Sequence, residues 1–352
     1  VGAVLVAVVM IVAAVLIRDL VIEGDDSGGG GGGGGGPAGP VRLVCVSEVR
    51  AACEQLADED DGVEVTIASA GTTLDELTSP EFRGSQSAYD AWVTLDPLPE
   101  VVDARRDQQG DDQVLADPTP VASSPVVLVA SNDRADALVS ACGEPSDPDS
   151  DDVVVSVRCV AEAAGGPWSA AGGEGSWGPV RYGFVDPDRQ AEGQAVLGQL
   201  ATAYFAELDP PLGPDAYASN DFAPLGFSTW LGGVAAEADT SSQGGTPLEK
   251  LVQRGPSAFG AVATLEASAT DAIAGTRAEG SLTVIYPSPM ATAVVSLAPV
   301  GGAPGADDVD DVLEPLREAL AGTGWDVDDP TAAGLPRPGV ADALDRLWGQ
   351  VS

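Results

Sequence analysis

Val41–Leu77 reads VRLVCVSEVRAACEQLADEDDGVEVTIASAGTTLDEL, and its rhythm predicts strand, helix, strand and the start of a second helix. VRLVCV is a short apolar run, and Ser47 follows it where a helix N-cap belongs, its hydroxyl free to accept from the orphan N–H groups of the first turn. Val49, Ala52, Cys53 and Leu56 recur at helical spacing, and Asp58–Gly62 closes that helix. VEVTIA is the next strand, running into Ser69, Ala70, Gly71, Thr72 and Thr73, with Thr72 or Thr73 as a second N-cap. If the two strands are parallel neighbours, both helix N-termini open at one sheet edge, a natural place for a polar or anionic ligand.

Outward from this unit, short strands and helices alternate. Strand-like runs fall at Tyr89–Leu95, Val121–Ala130, Val180–Val185, Ala258–Leu265, Ser281–Tyr286 and Ala291–Leu297. Helical periodicity marks Ala191–Leu208, Asp221–Ala236, Thr246–Gln253, Asp307–Leu320 and Val340–Val351. This alternation predicts α/β layers with largely parallel sheets. Pro125, inside an otherwise strong strand, marks an edge or a crossing point between lobes.

The 352 residues suffice for two lobes, and 44% hydrophobic content excludes wholesale disorder. Fifty-five acids stand against 15 arginines and one lysine, for a formal charge of −39. No basic face can be assembled from that, which argues against nucleic acid as a partner. A strongly solvated surface accounts for the acids. A calcium loop at Asp147, Asp149 and Asp151 fails its pattern, because Asp152 replaces the turn glycine and Arg158 stands where a bidentate Glu is needed. The chain has no histidine, so Ser-His-Asp and Cys-His chemistry are excluded. Lys250, the only lysine, has no serine three residues before it, so there is no Ser-x-x-Lys pair. Neither a metal site nor a cofactor is implied. The four cysteines form two local pairs, Cys45 with Cys53 and Cys142 with Cys159, and two disulfides would suit an oxidising compartment. Buried free thiols are the alternative.

Val1–Ile17 is an unbroken apolar run of about 26 Å in helical rise, read as part of a membrane anchor over 1–22, with a cleaved signal peptide as the competing reading. Residues 23–40 include nine consecutive glycines and read as a flexible tether reaching roughly 24 Å. The expected location is therefore the cell membrane, crossed once by the N-terminal helix, with the folded part on the extracytoplasmic side.

VRLVCVSEVRAACEQLA, VEVTIASAGTT, YDAWVTLDPLPEVVDARR, VASSPVVLVA, WGPVRYGFVDPDRQAEGQAVL, FGAVATLEAS and LTVIYPSP, in that order, resemble bacterial extracytoplasmic solute-binding proteins of type 2 periplasmic-binding fold. The resemblance implies two α/β lobes joined by crossing strands, one from 41–122 and 256–352, the other from 123–255. It also implies a small-molecule or ion ligand in the cleft and a membrane transporter or sensor as partner. Carried over by position, the ligand would meet Ser47, Ser69, Gly71, Thr72 and Thr73 from the first lobe. Trp92 would border the cleft, with Ser123 and Ser124 at the first crossing. Asp186 and the helix start near Gln190–Gly193 would close from the second lobe, and Tyr286 would lie near the return crossing. Several have a plainer alternative: Ser47, Thr72 and Thr73 as helix caps, and Trp92 and Tyr286 as core aromatics. Trp168 and Trp177, amid glycines, read either as a mobile binding loop or as loop anchors. Glu48, if it faces the cleft, repels an anion, and Asp186 and Asp188 add to that. A surface interaction module that carries no solute is the second functional reading, favoured if the cleft is filled by its own side chains.

Overall fold

The computed structural model describes residues 39–145 and 153–352. The expected anchor, most of the tether and the Asp147–Asp152 repeat lie outside the described residues. Among the described residues no helix is long and apolar enough to cross a membrane.

The opening unit forms as its pattern requires, with one local difference. Strand β1 (Val41–Val46) leads through a 3₁₀ turn, Ser47–Val49, into α1 (Arg50–Glu59). Ser47 is therefore not the cap of α1; its hydroxyl donates to its neighbour Glu48 at 3.0 Å. Strand β2 (Val63–Ala68) pairs parallel with β1, and α2 (Ala70–Leu77) follows. Its cap is Ser69, not Thr72 or Thr73: Ser69 Oγ accepts the Thr72 N–H at 3.3 Å. Strand β3 (Ala91–Leu95) lies on the other side of β1, also parallel, and α3 (Leu98–Gln109) returns over the sheet.

The long strand β4 (Thr119–Ser131) serves two sets of partners. Beyond it run α4 (Asn132–Cys142), β5 (Gly143–Pro145), β6 (Val153–Ser156), α5 (Val157–Ala163), β7 (Tyr182–Gly183) and the long helix α6 (Ala191–Ala206). Helices α7 (Phe227–Glu237) and α8 (Pro247–Arg254), strand β8 (Ala261–Leu265), helix α9 (Glu266–Ile273) and strands β9 (Leu282–Ile285), β10 (Pro287–Ser288) and β11 (Thr292–Pro299) come next. Helices α10 (Leu313–Gly322) and α11 (Pro338–Val351) complete the chain. Up to Pro125, β4 pairs antiparallel with β11, whose other edge meets β3. From Val126 onward it pairs antiparallel with β8 and, on the opposite edge, β9. Pro125 is thus the residue at which the strand changes partners, a position suited to a residue without an N–H. The sheets are mixed rather than largely parallel, because β11 and β4 run against their neighbours.

Burial follows this two-part sheet. All of β3 is buried, and α6 is buried along nearly its whole length, as an apolar helix without a polar face must be. Around the end of α6, Phe205 stacks on Tyr217 with ring centroids 4.1 Å apart and packs on Phe227. Trp168 meets Trp177 edge-on, with the Arg134 guanidinium 3.2 Å from the Trp177 ring centroid, so these two tryptophans are loop anchors. The C-terminal helix α11, expected with the first lobe, packs on α3 and also on α6 and α7. Arg105 of α3 binds it through Asp342 at 2.8 Å and Asp345 at 2.6 Å.

Both local disulfides are present. Cys45–Cys53 ties the end of β1 to α1, and Cys142–Cys159 joins α4 to α5.

Candidate functional site

The turns after β1 and β2 open on the same side of the molecule and face the loop that precedes α6. Two adjoining hollows, of about 280 and 520 Å³, lie between them and share Val185, Gln190 and Thr246. Ser47 and Glu48 line the smaller hollow; Ser69, Gly71, Thr72 and Asp186 line the larger. Ser47, Ser69, Gly71, Thr72 and Asp186, all expected at a ligand site, therefore surround this cleft, together with Gln190 at the start of α6. Thr73, Trp92, Ser124 and Tyr286 stand elsewhere. Thr73 is buried, its hydroxyl donating to the Ser69 carbonyl at 3.4 Å. Trp92 is fully buried in β3, because both faces of that central strand are covered. Ser124 is buried at the crossing and accepts the Ala267 N–H at 3.0 Å. Tyr286 is exposed and donates to the Glu266 carboxylate. None of these four lines either hollow.

The cleft walls touch through backbone. Gly71 N–H donates to the Arg189 carbonyl at 3.2 Å. A Cβ on Gly71 would stand 2.2 Å from the Asp188 carbonyl oxygen, so only glycine permits this approach. The facing loop is held by its own bonds: the Asp186 carbonyl accepts the N–H groups of Arg189 and Gln190 at 3.1 and 2.9 Å.

At the floor of the smaller hollow two carboxylates meet. Glu48 Oε1 accepts the Glu192 N–H at 2.8 Å, in the first turn of α6, and Oε2 accepts the Ser47 hydroxyl. Glu192 accepts Thr264 Oγ1 on one carboxylate oxygen and Ser268 Oγ on the other, each at 2.7 Å. Burial pushes the Glu48 carboxyl up, opposed by bonds from the backbone at Glu192 and Ala191. Burial likewise raises Glu192, to about 7; the Thr264 and Ser268 bonds pull it down and the Glu48 charge pushes it up. Sequence reasoning placed the helix start Gln190–Gly193, which contains Glu192, near the ligand without giving Glu192 a role of its own, and it missed Thr264 and Ser268. Among the described residues no group of three or more Cys, Asp or Glu side chains is arranged to hold a metal ion.

The raised Glu192 sets a pH dependence whose sign is fixed. Between the ordinary glutamate value of 4.5 and about 7 the folded state keeps a proton that the unfolded chain releases, so Glu192 makes stability fall as pH rises through that window. The change is on the order of 3 kcal/mol. Urea titrations from pH 4.5 to 8 should show a flatter profile for Glu192→Gln than for the parent protein. An unchanged slope in the variant would assign the dependence to other groups.

No protein-family model matches the chain, and no curated protein matches it. Solved structures do. A periplasmic thiamin binding protein superposes with a TM-score of 0.51 at 12% identity, covering 90% of this chain and 98% of that chain. An ABC transporter solute binding protein from Agrobacterium radiobacter K84, in complex with ribitol, gives 0.49 at 15% identity over 81% of this chain and 79% of that chain. A Trichodesmium protein in complex with iron and citrate gives 0.47 at 9% identity over 89% and 97%. At 12% identity the likeness to the periplasmic thiamin binding protein speaks of architecture alone, and it agrees with the strand pairing and the cleft described above: the chain has the α/β, two-lobed type 2 periplasmic-binding fold.

Proposed function

We propose that this protein is an extracytoplasmic solute-binding protein that captures a small ligand between its lobes and presents it to a membrane transporter or a sensor, without catalysis. In this reading residues 1–22 anchor it to the cell membrane, 23–40 form the tether, and the lobes comprise 41–122 with 256–352, and 123–255. The observation that carries the reading is the cleft itself. Ser47, Ser69, Gly71 and Thr72 face Asp186 and Gln190 across space large enough for a small molecule. Contact from both walls is what lets a ligand favour a closed arrangement over an open one. The absence of histidine from the sequence supports binding over hydrolytic chemistry.

One observation favours the second reading, an interaction module without a solute: Glu48 reaches across and fills part of the cleft. The remaining volume keeps solute capture ahead. Calorimetric titration of the purified protein with polyols, sugars, amino acids, organic amines and oxyanions tests the choice. A saturable, one-to-one ligand that Thr72→Ala or Gln190→Ala weakens is the expected result. Silence across the whole panel would move the assignment to the interaction module.

A further inference from the structure

The cleft contains the hydrogen-bond donors that an oxyanion needs, and the protein's own carboxylates already occupy them. Helix α6 is sixteen residues long, so its first turn carries a substantial positive end. Glu48, arriving from β1 on the opposite wall, seats its carboxylate there, on the Glu192 N–H, and takes the Ser47 hydroxyl with its second oxygen. The two hydroxyls next to it, Thr264 and Ser268, donate to the two oxygens of Glu192. Four donors thus meet four carboxylate oxygens. Asp271 and Glu249 line the same hollow, and Asp75, Asp186 and Asp188 line the adjoining one, against Arg50 and Arg189.

We propose that Glu48 is a specificity-determining residue: its carboxyl group occupies the oxyanion seat at the start of α6 and so excludes small free oxyanions from the cleft. The inference rests on the cleft being the ligand site. An entering anion must displace Glu48 and then stand beside Glu192, whereas a neutral or cationic ligand finds acceptors on both. Truncating Glu48 to alanine leaves the α6 N–H groups and the Ser47 hydroxyl facing an empty space the size of a carboxylate. Glutamine keeps that space filled and can still accept the Glu192 N–H.

The test compares the parent protein, Glu48→Ala and Glu48→Gln for thermal stabilisation by sodium formate and sodium sulfate, with sodium chloride matched for ionic strength. Glu48→Ala should gain saturable stabilisation by formate, with an apparent affinity roughly ten- to thirtyfold above that of the parent. Glu48→Gln should behave as the parent does. Equal anion response in all three proteins, or none in a Glu48→Ala protein whose circular dichroism matches the parent, overturns the proposal. Should Glu48→Ala fail to fold, the remaining pair decides: saturable, salt-corrected formate or sulfate binding by the parent overturns the proposal, and rejection of both anions by both proteins supports it. Formate response in the variant reads the seat without any natural ligand. A failed solute screen of the parent therefore counts against solute capture and leaves this result standing.

Discussion

Replacing Asp90 by alanine should lower the stability of the protein by about 2–4 kcal/mol, because it removes a buried carboxylate from a half-buried arginine and from two backbone donors. The Asp90 side chain is 1% exposed and receives four hydrogen bonds. Arg42 supplies three, from Nη2 at 2.7 Å, Nε at 3.0 Å and its backbone N–H at 2.9 Å. The Gly305 N–H supplies the fourth at 3.0 Å. Burial alone would raise the Asp90 carboxyl, but the Arg42 and Gly305 bonds outweigh it and hold the group below its ordinary value. Truncation strands a half-buried guanidinium and two backbone donors at once. Urea unfolding at pH 7 measures the loss, and one below 1 kcal/mol would show that water replaces the carboxylate without penalty. The pH sign is opposite to that of Glu192. Asp90 contributes its stability above the unfolded carboxyl value and loses it as pH falls through the depressed folded one, so Asp90→Asn should blunt acid unfolding below about pH 4. Asp90 precedes β3, at the end of the sheet away from the cleft, so ligand affinity measured well below the transition should be retained.

Gly71→Ala should do the reverse, sparing the fold and damaging the site. Gly71 sits in the first turn of α2 and is not among the glycines with positive φ, so alanine suits its backbone and improves helix propensity. Its methyl, however, would lie 2.2 Å from the Asp188 carbonyl oxygen on the facing wall, and the colliding atoms are backbone on one side and a Cβ on the other. Neither can rotate away, so the walls must separate. Overpacking of this kind costs about 1–3 kcal/mol, which charged to the closed arrangement alone weakens ligand binding roughly 5- to 150-fold. The expected pattern is an unchanged or higher melting temperature, a larger radius of gyration in solution scattering, and reduced affinity in calorimetry. Affinity within twofold of the parent, with unchanged scattering, would mean that ligand binds without the walls meeting at Gly71.

The architecture was legible because it is written in local periodicity. Apolar runs at β1, β2 and β4 and the helical spacing of α6 needed only neighbours in sequence. The cysteine pairs were legible for the same reason, each spanning one strand–helix or helix–helix step. Half of the site was legible too, since a turn after a parallel strand opens at the sheet edge wherever the chain goes next. What failed depended on distant partners. Ser47 looked like a cap because nothing nearby announces that Glu48 bonds a residue 144 positions away. Trp92 looked like a wall because a single strand does not reveal that both its faces are covered. Thr264 and Ser268 gave no local sign at all; their hydroxyls matter only because Glu192 is brought to them.

Strand β4 carries a mechanical consequence. Its thirteen residues run unbroken from one set of partners to the other, with the handover at Pro125 and Val126. A swing of one half against the other cannot be absorbed there by a slack connection, and has to flex a rod bonded at both ends. Such a spring favours small angular excursions and a quick return, and its stiffness is set by the ladder on either side of a single imino acid.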